Sequence, residues 1–233
     1  MNEIGTASTK PIGLIFNGVW SQYALAVAPK YRNFYEPLYI HGLDDDVQLK
    51  KYQALVIPFQ SHQTALISLK NAFYGFLADG GKISVFGDSA SWLDDARWED
   101  RPVNNYWWLE DPGHPPITQT DFDHPVYQGL TPRQAGWHHH GVYAQVPEDS
   151  EIIQRNASGE VISWQTHRYG GVLLASTLDP IVEHGIQQIR HLDAYVDNLT
   201  LWLCGIKPTG RFEVDPADFG LTAFPSQSAE YFR

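Results

Sequence analysis

The sequence predicts an α/β domain built on a parallel sheet with helices on both faces. Three observations carry that prediction. Short apolar runs recur at 12–16, 54–57 and 83–86; they are too short for helices and nearly continuously apolar, as strands buried on both faces are. Stretches with apolar residues at helical spacing lie between them. The 233-residue chain is 43% hydrophobic and 18% charged, enough apolar material for one sizeable core.

Taken in order, residues 1–10 are polar and lack an apolar signal core, so a flexible start and a cytoplasmic protein are expected. The first strand, 12–16, closes on Asn17-Gly18. A helix is expected over 20–32, where Tyr23, Ala24, Val27 and Ala28 share a face. A weakly alternating strand follows at 34–40, and Asp44-Asp45-Asp46 reads as a solvated loop or helix start. The strand at 54–57 stops at Pro58. Leu66, Leu69, Phe73, Phe76 and Leu77 then mark one helix over 64–79, ended by Gly80-Gly81. The central strand, 83–86, breaks on Gly87-Asp88-Ser89-Ala90-Ser91. In such sheets ligands gather at the carboxyl ends of the strands, which puts Asn17, Gln60, Ser61, His62 and the 87–91 turn on one edge.

Residues 92–120 mix Trp92, Trp98, Tyr106, Trp107 and Trp108 with acids and prolines. Two readings stand: an insertion or lid over the strand edge, or a loop packed by its own aromatics. Short strands are expected at 151–154, 161–164 and 172–176, and a final helix at 187–204. Residues 206–233, with spaced prolines and aromatics, read as an extended tail lying on its own domain or on a neighbouring subunit of a homo-oligomer.

A net charge of −11 argues against nucleic acid and anionic membrane as partners, and no apolar run approaches a membrane span. Cys204 alone excludes an internal disulfide and a Cys-rich metal site. Eight Trp and twelve Tyr suit a large core, or less commonly a stacking surface for a ring.

The order of several short motifs resembles a family. Asp123-His124-Pro125 leads to Gly129-Leu130, then to a His-rich segment ending at Tyr143. Gly159-Glu160-Val161-Ile162-Ser163-Trp164 and Arg168-Tyr169-Gly170 follow, and a strand runs into Thr177-Leu178-Asp179. This series is similar to that of the ThuA-like branch of the class I glutamine amidotransferase-like superfamily, and the resemblance covers about residues 12–205. The resemblance implies a flavodoxin-like sheet with a ligand site at its carboxyl edge, over residues 1–205. It also implies relatives linked to disaccharide use or appended to glycosidases. Active amidotransferases of that superfamily carry a nucleophilic Cys in a G-x-C-x-G turn and a His in a late His-Pro segment. Here Ser89 or Asp88, depending on register, stands at the Cys position, and Asp179 replaces the His. Hydrolysis of glutamine through a thioester is therefore not expected.

What remains is a small polar ligand, sugar-like by the resemblance, bound by Asn17, His62, Asp88, Trp92, His139, His140 and Asp179, or a module for assembly. No cofactor is expected. Two alternatives compete. Serine peptidases of the same superfamily carry a G-x-S-A-G turn, which 87–90 matches in its first four positions. Ser89 would then need a base, with His184 beside Glu183 the best candidate; the plain reading of His184 is a polar residue at a helix start. In a metal-assisted hydrolase His138 and His140, on one face of an extended segment, would join Asp179 or His184. The plain reading of the three histidines is the lining of a polar pocket.

Overall fold

The computed structural model describes residues 11–44, 48–187 and 189–208, with only the backbone described at 186 and 187. The polar start, most of the acidic patch and nearly all of the tail lie outside the described residues.

Among the described residues ten strands form one sheet: β1 (Ile12–Phe16), β2 (Tyr35–Tyr39), β3 (Ala54–Ile57), β4 (Lys82–Phe86), β5 (Arg97–Glu99), β6 (Ile117–Thr120), β7 (Val142–Gln145), β8 (Glu151–Asn156), β9 (Val161–Thr166) and β10 (Val172–Ser176). Their order is β2-β1-β3-β4-β10-β9-β7-β5, with β8 also on β9 and β6 on β8. From β2 to β10 every pairing is parallel. With β10 as fifth strand this half has the order 2-1-3-4-5 of flavodoxin-like sheets. Beyond β10 the pairings are antiparallel. The sheet is thus mixed, which corrects the expectation of a parallel one. The turns at Gly159 and Gly170 are too short for a parallel crossover, so β8, β9 and β10 must alternate in direction.

The strands of the parallel half send alternate side chains to two cores. Ile12, Leu14, Ala54, Val56, Phe86 and Leu174 face α1 (Trp20–Val27), α5 (Pro180–Gln187) and α6 (Asp193–Leu203). Ile15, Leu55, Ile57, Ile83, Val85 and Leu173 face α2 (Gln63–Ser68) and α3 (Lys70–Ala78). Period-two alternation under helices on both sides is the expected consequence of strands that are apolar on both faces for most of their length. A one-turn helix, α4 (Pro132–Ala135), is opened by a capping box between Thr131 and Gln134.

Three helix expectations change. The helix expected over 20–32 ends at Val27. The single helix over 64–79 is two, meeting at Leu69. The final helix begins at Asp193, and α5 precedes it, carrying Glu183 and His184. Among the described residues no helix is long and apolar enough to cross a membrane.

The Trp-rich segment is held against Trp137 and the histidine run that follows it. Trp107 and Trp108 lie against Trp137, with centroids 5.8 and 6.1 Å apart. Trp98 sits in β5 and donates Nε1–H to the His140 carbonyl at 2.7 Å. Asn105 donates to the His139 carbonyl at 3.1 Å. The segment therefore braces the histidine run.

Candidate functional site

The carboxyl ends of β1, β3, β4 and β10 converge as the parallel order requires. Side chains knit the loops that follow them. Asn17, after β1, donates Nδ2 to the Gln60 carbonyl at 2.6 Å and accepts the His62 amide on Oδ1 at 2.9 Å. Gln60 sits at φ +60, a left-handed conformation uncommon outside glycine. Its amide donates to Asp88 Oδ1 at 3.1 Å. His62 caps α2, its Nδ1 accepting the Ala65 amide at 3.2 Å, and its ring meets His41 at 4.9 Å.

The turn after β4 is sharp because Gly87 sits at φ +61. A side chain there would be strained, and it would collide: an added Cβ lies 2.1 Å from Cδ2 of Phe59. A nucleophile elbow presents its reactive group from such a strained turn. Here the strained residue has no side chain, and the Phe59 ring fills the adjoining space. Phe59 also stacks on His140, 4.2 Å between centroids and 15° from parallel.

Asp88 is half-buried beside this ring pair. Burial raises its carboxyl above the usual range, opposed by the Gln60 amide and the nearby His140. His140 Nε2 lies 2.8 Å from Asp179 Oδ2. Asp179 is 2% exposed; burial raises its carboxyl too, and the bond from His140 opposes that rise. His140 and Asp179 are thus paired, and Asp88 is tied through Gln60 to Asn17, which holds His62.

The other candidates go elsewhere. Ser89 is fully buried; its hydroxyl donates to the Pro58 carbonyl at 2.6 Å and accepts the Ser61 amide at 3.1 Å. His184 faces the opposite helix layer: Nε2 lies 2.8 Å from Asp193 Oδ1, and the ring meets Tyr31 edge-on at 5.5 Å. Ser89 and His184 are not hydrogen-bonded to each other, and Glu183 pairs with His138, at 3.3 Å, rather than with His184. The expected Ser–His–Glu arrangement is not formed, because Glu183 and His184, adjacent on α5, point in different directions. Trp92, 1% exposed, packs on Phe73 and Tyr74 and offers nothing to a ligand. His139, 2% exposed, forms a single bridge with Leu178; burial, then His140 and His138, lower its pKa to about 4. Of the three histidines only His138 and His140 meet carboxylates, and each takes a different one.

Phe59 had no signal in the sequence. A chain of aromatic rings extends this edge outward: Trp20 meets Tyr23 at 5.9 Å, Tyr23 meets Phe16 at 5.5 Å, and Phe16 meets Tyr39 at 5.8 Å. Tyr39 meets His41 at 5.4 Å, which leads back to His62. Trp20 is 64% and Tyr39 49% exposed. The lone thiol, Cys204, is buried at the end of α6, and burial pushes it up to about 12.

No family model matches the chain, and no curated protein does. Solved structures do. A GMP synthase-like protein of Thermoplasma acidophilum superposes with a TM-score of 0.56 at 15% identity, covering 83% of this chain and 93% of that one. A cytoplasmic protein of Salmonella typhimurium LT2 gives 0.52 at 14%, covering 81% and 87%. A ThuA-like protein of Bacteroides uniformis gives 0.48 at 14%, covering 87% and 94%, and adds no weight to the first two. At these identities the likeness is one of fold: the chain shares a mixed α/β fold with these proteins.

Proposed function

We propose that this chain is a binding member of its fold, without thiol chemistry, that takes a small polar ligand at the carboxyl edge. One observation carries the reading: the strained residue of the β4 turn is Gly87, and the Phe59 ring stands where a reactive side chain would project. The alternative nucleophile supports it, since Ser89 has both its hydroxyl functions engaged by backbone groups.

The ligand is polar because the groups left to meet it are polar. Asn17, Gln60, His62, Asp88 and His140 all reach solvent at the edge. A half-buried carboxyl next to an imidazole suits vicinal hydroxyls, which both donate and accept. The exposed rings of Trp20 and Tyr39 adjoin Asn17 and suit the apolar face of a sugar. A carbohydrate is therefore the first class to test.

The test is a thermal-shift and calorimetric screen of mono- and disaccharides, sugar acids and polyols. At least one compound should raise the melting temperature, and Asp88→Asn and Trp20→Ala should each abolish the rise. Silence across the panel would remove the sugar reading. Ammonia release from glutamine that disappears in Ser89→Ala would remove the non-catalytic one.

A further inference from the structure

We propose that His138, Asp179 and Glu183 hold a divalent first-row metal ion, of which Zn²⁺ is the best fit. One potential ligand atom from each of the three lies within 4.8 Å of the others. Ligand atoms tetrahedral about Zn²⁺ stand roughly 3.3 Å apart, given bonds near 2.0–2.1 Å. A contraction by side-chain rotation closes the set.

Further observations point to a cation. Asp179 Oδ1, Glu183 Oε2 and His138 Nε2 are all buried without a hydrogen-bond partner. Asp179 is 2% and Glu183 9% exposed, so solvent does not satisfy them. An orphaned buried acceptor costs about 1–3 kcal/mol, and two of them one helical turn apart also repel.

The cluster is built rather than accidental. Asp179 immediately precedes Pro180, where α5 starts, and Glu183 follows four residues later, so both point the same way. His138 is held at φ +37, a strained conformation for a residue with a side chain, and its ring is clamped on Trp137 at 4.6 Å and 13°. His140 binds the oxygen of Asp179 that the metal would not use, at 2.8 Å. Metal-bound carboxylates are commonly oriented by such an outer partner.

One imidazole and two carboxylates favour Zn²⁺ or Mn²⁺ over Ca²⁺ or Mg²⁺, which prefer an all-oxygen set. Three protein ligands leave at least one position open. This proposal uses groups beside the ligand edge and stands if no sugar binds there.

The experiment uses the full chain without a purification tag, stripped with a chelator and titrated with Zn²⁺ and Co²⁺. One equivalent of Zn²⁺ should bind, and Co²⁺ should give the visible band of a low-coordinate site. Zn²⁺ should raise the melting temperature of the wild-type protein. His138→Ala and the isosteric Glu183→Gln should each weaken binding by at least about tenfold. His114→Ala, at an exposed histidine outside the cluster, should leave it unchanged. Absence of a bound equivalent, no thermal shift in the wild type, or undiminished affinity in Glu183→Gln would overturn the proposal. The saccharide screen repeated on stripped protein reads the ligand edge separately.

Discussion

Replacing Gly87 with alanine tests the claim that Phe59 fills the mouth of the β4 turn. At φ +61 an L-residue with a Cβ costs about 1–2 kcal/mol. The new methyl also lies 2.1 Å from Phe59 Cδ2 and 2.8 Å from Cγ, so the ring must move off His140. Overpacking of that kind costs about 1–3 kcal/mol. Gly87→Ala should therefore destabilise the protein by roughly 2–5 kcal/mol. Phe59→Ala removes the obstructing ring and leaves only its Cβ, at 3.0 Å. In that background the same change should cost only the backbone strain, so a double-mutant cycle by urea unfolding should give a coupling of about 1–3 kcal/mol. Simple additivity would refute the reasoning, as would a Gly87→Ala cost no larger than the strain alone.

Three other outcomes are expected. Ser89→Ala should destabilise by about 1–3 kcal/mol, read by urea unfolding, because the buried Ser61 amide loses its acceptor. His139 has its pKa lowered from 6.5 to about 4, so the unfolded chain takes up a proton that the folded chain refuses. Stability should fall as pH drops from 6.5 to 4, by at most roughly 3 kcal/mol from this residue, and His139→Asn should flatten that slope in unfolding curves at pH 7 and 4.5. His138 acts oppositely: burial lowers it, but Glu183 and Asp179 outweigh burial and raise it, so its stabilisation is present at acid pH and lost as pH rises through its folded pKa. Glu183→Gln should remove much of that opposing contribution and steepen the acid loss, measured in the same series.

The parallel half of the fold was legible because β1, β3 and β4 are buried on both faces and read as nearly continuous apolar runs. Ile12–Phe16 and Ala54–Ile57 end where Asn17 and Pro58 predict. Beyond it, β8, β9 and β10 stand where strands were expected at 151–154, 161–164 and 172–176, but β5, β6 and β7 were not anticipated, and Gln154, Ser163 and Gln165 are buried polar residues that blur the pattern. Buried polar strands of this kind are satisfied by partners distant in sequence: the Ser163 hydroxyl meets Gln154, Tyr127 and Ser176. The helix α5 was missed because only Ile181 and Val182 mark its first turn and Gly185 interrupts it. Without that helix the direction of His184 could not be read. Strand ends alone pointed to Asn17, His62 and Asp88 on one edge, whereas His140 was read as pocket lining and Asp179 came from the resemblance. The Phe59 ring and the His138–Glu183 pair follow from backbone torsions, at Gly87 and His138, that no residue pattern announces.

Asn17 joins the first and third strands through a single carboxamide, giving a hydrogen to one carbonyl and taking one from one amide. An aspartate has nearly the same shape but nothing to give, and its second oxygen would face the carbonyl of Gln60 head-on. Threonine or serine would be too short to span both. This corner of the protein therefore selects for an amide by the sign of two dipoles rather than by size, and a one-atom exchange there would pull apart the ledge on which the neighbouring rings stand.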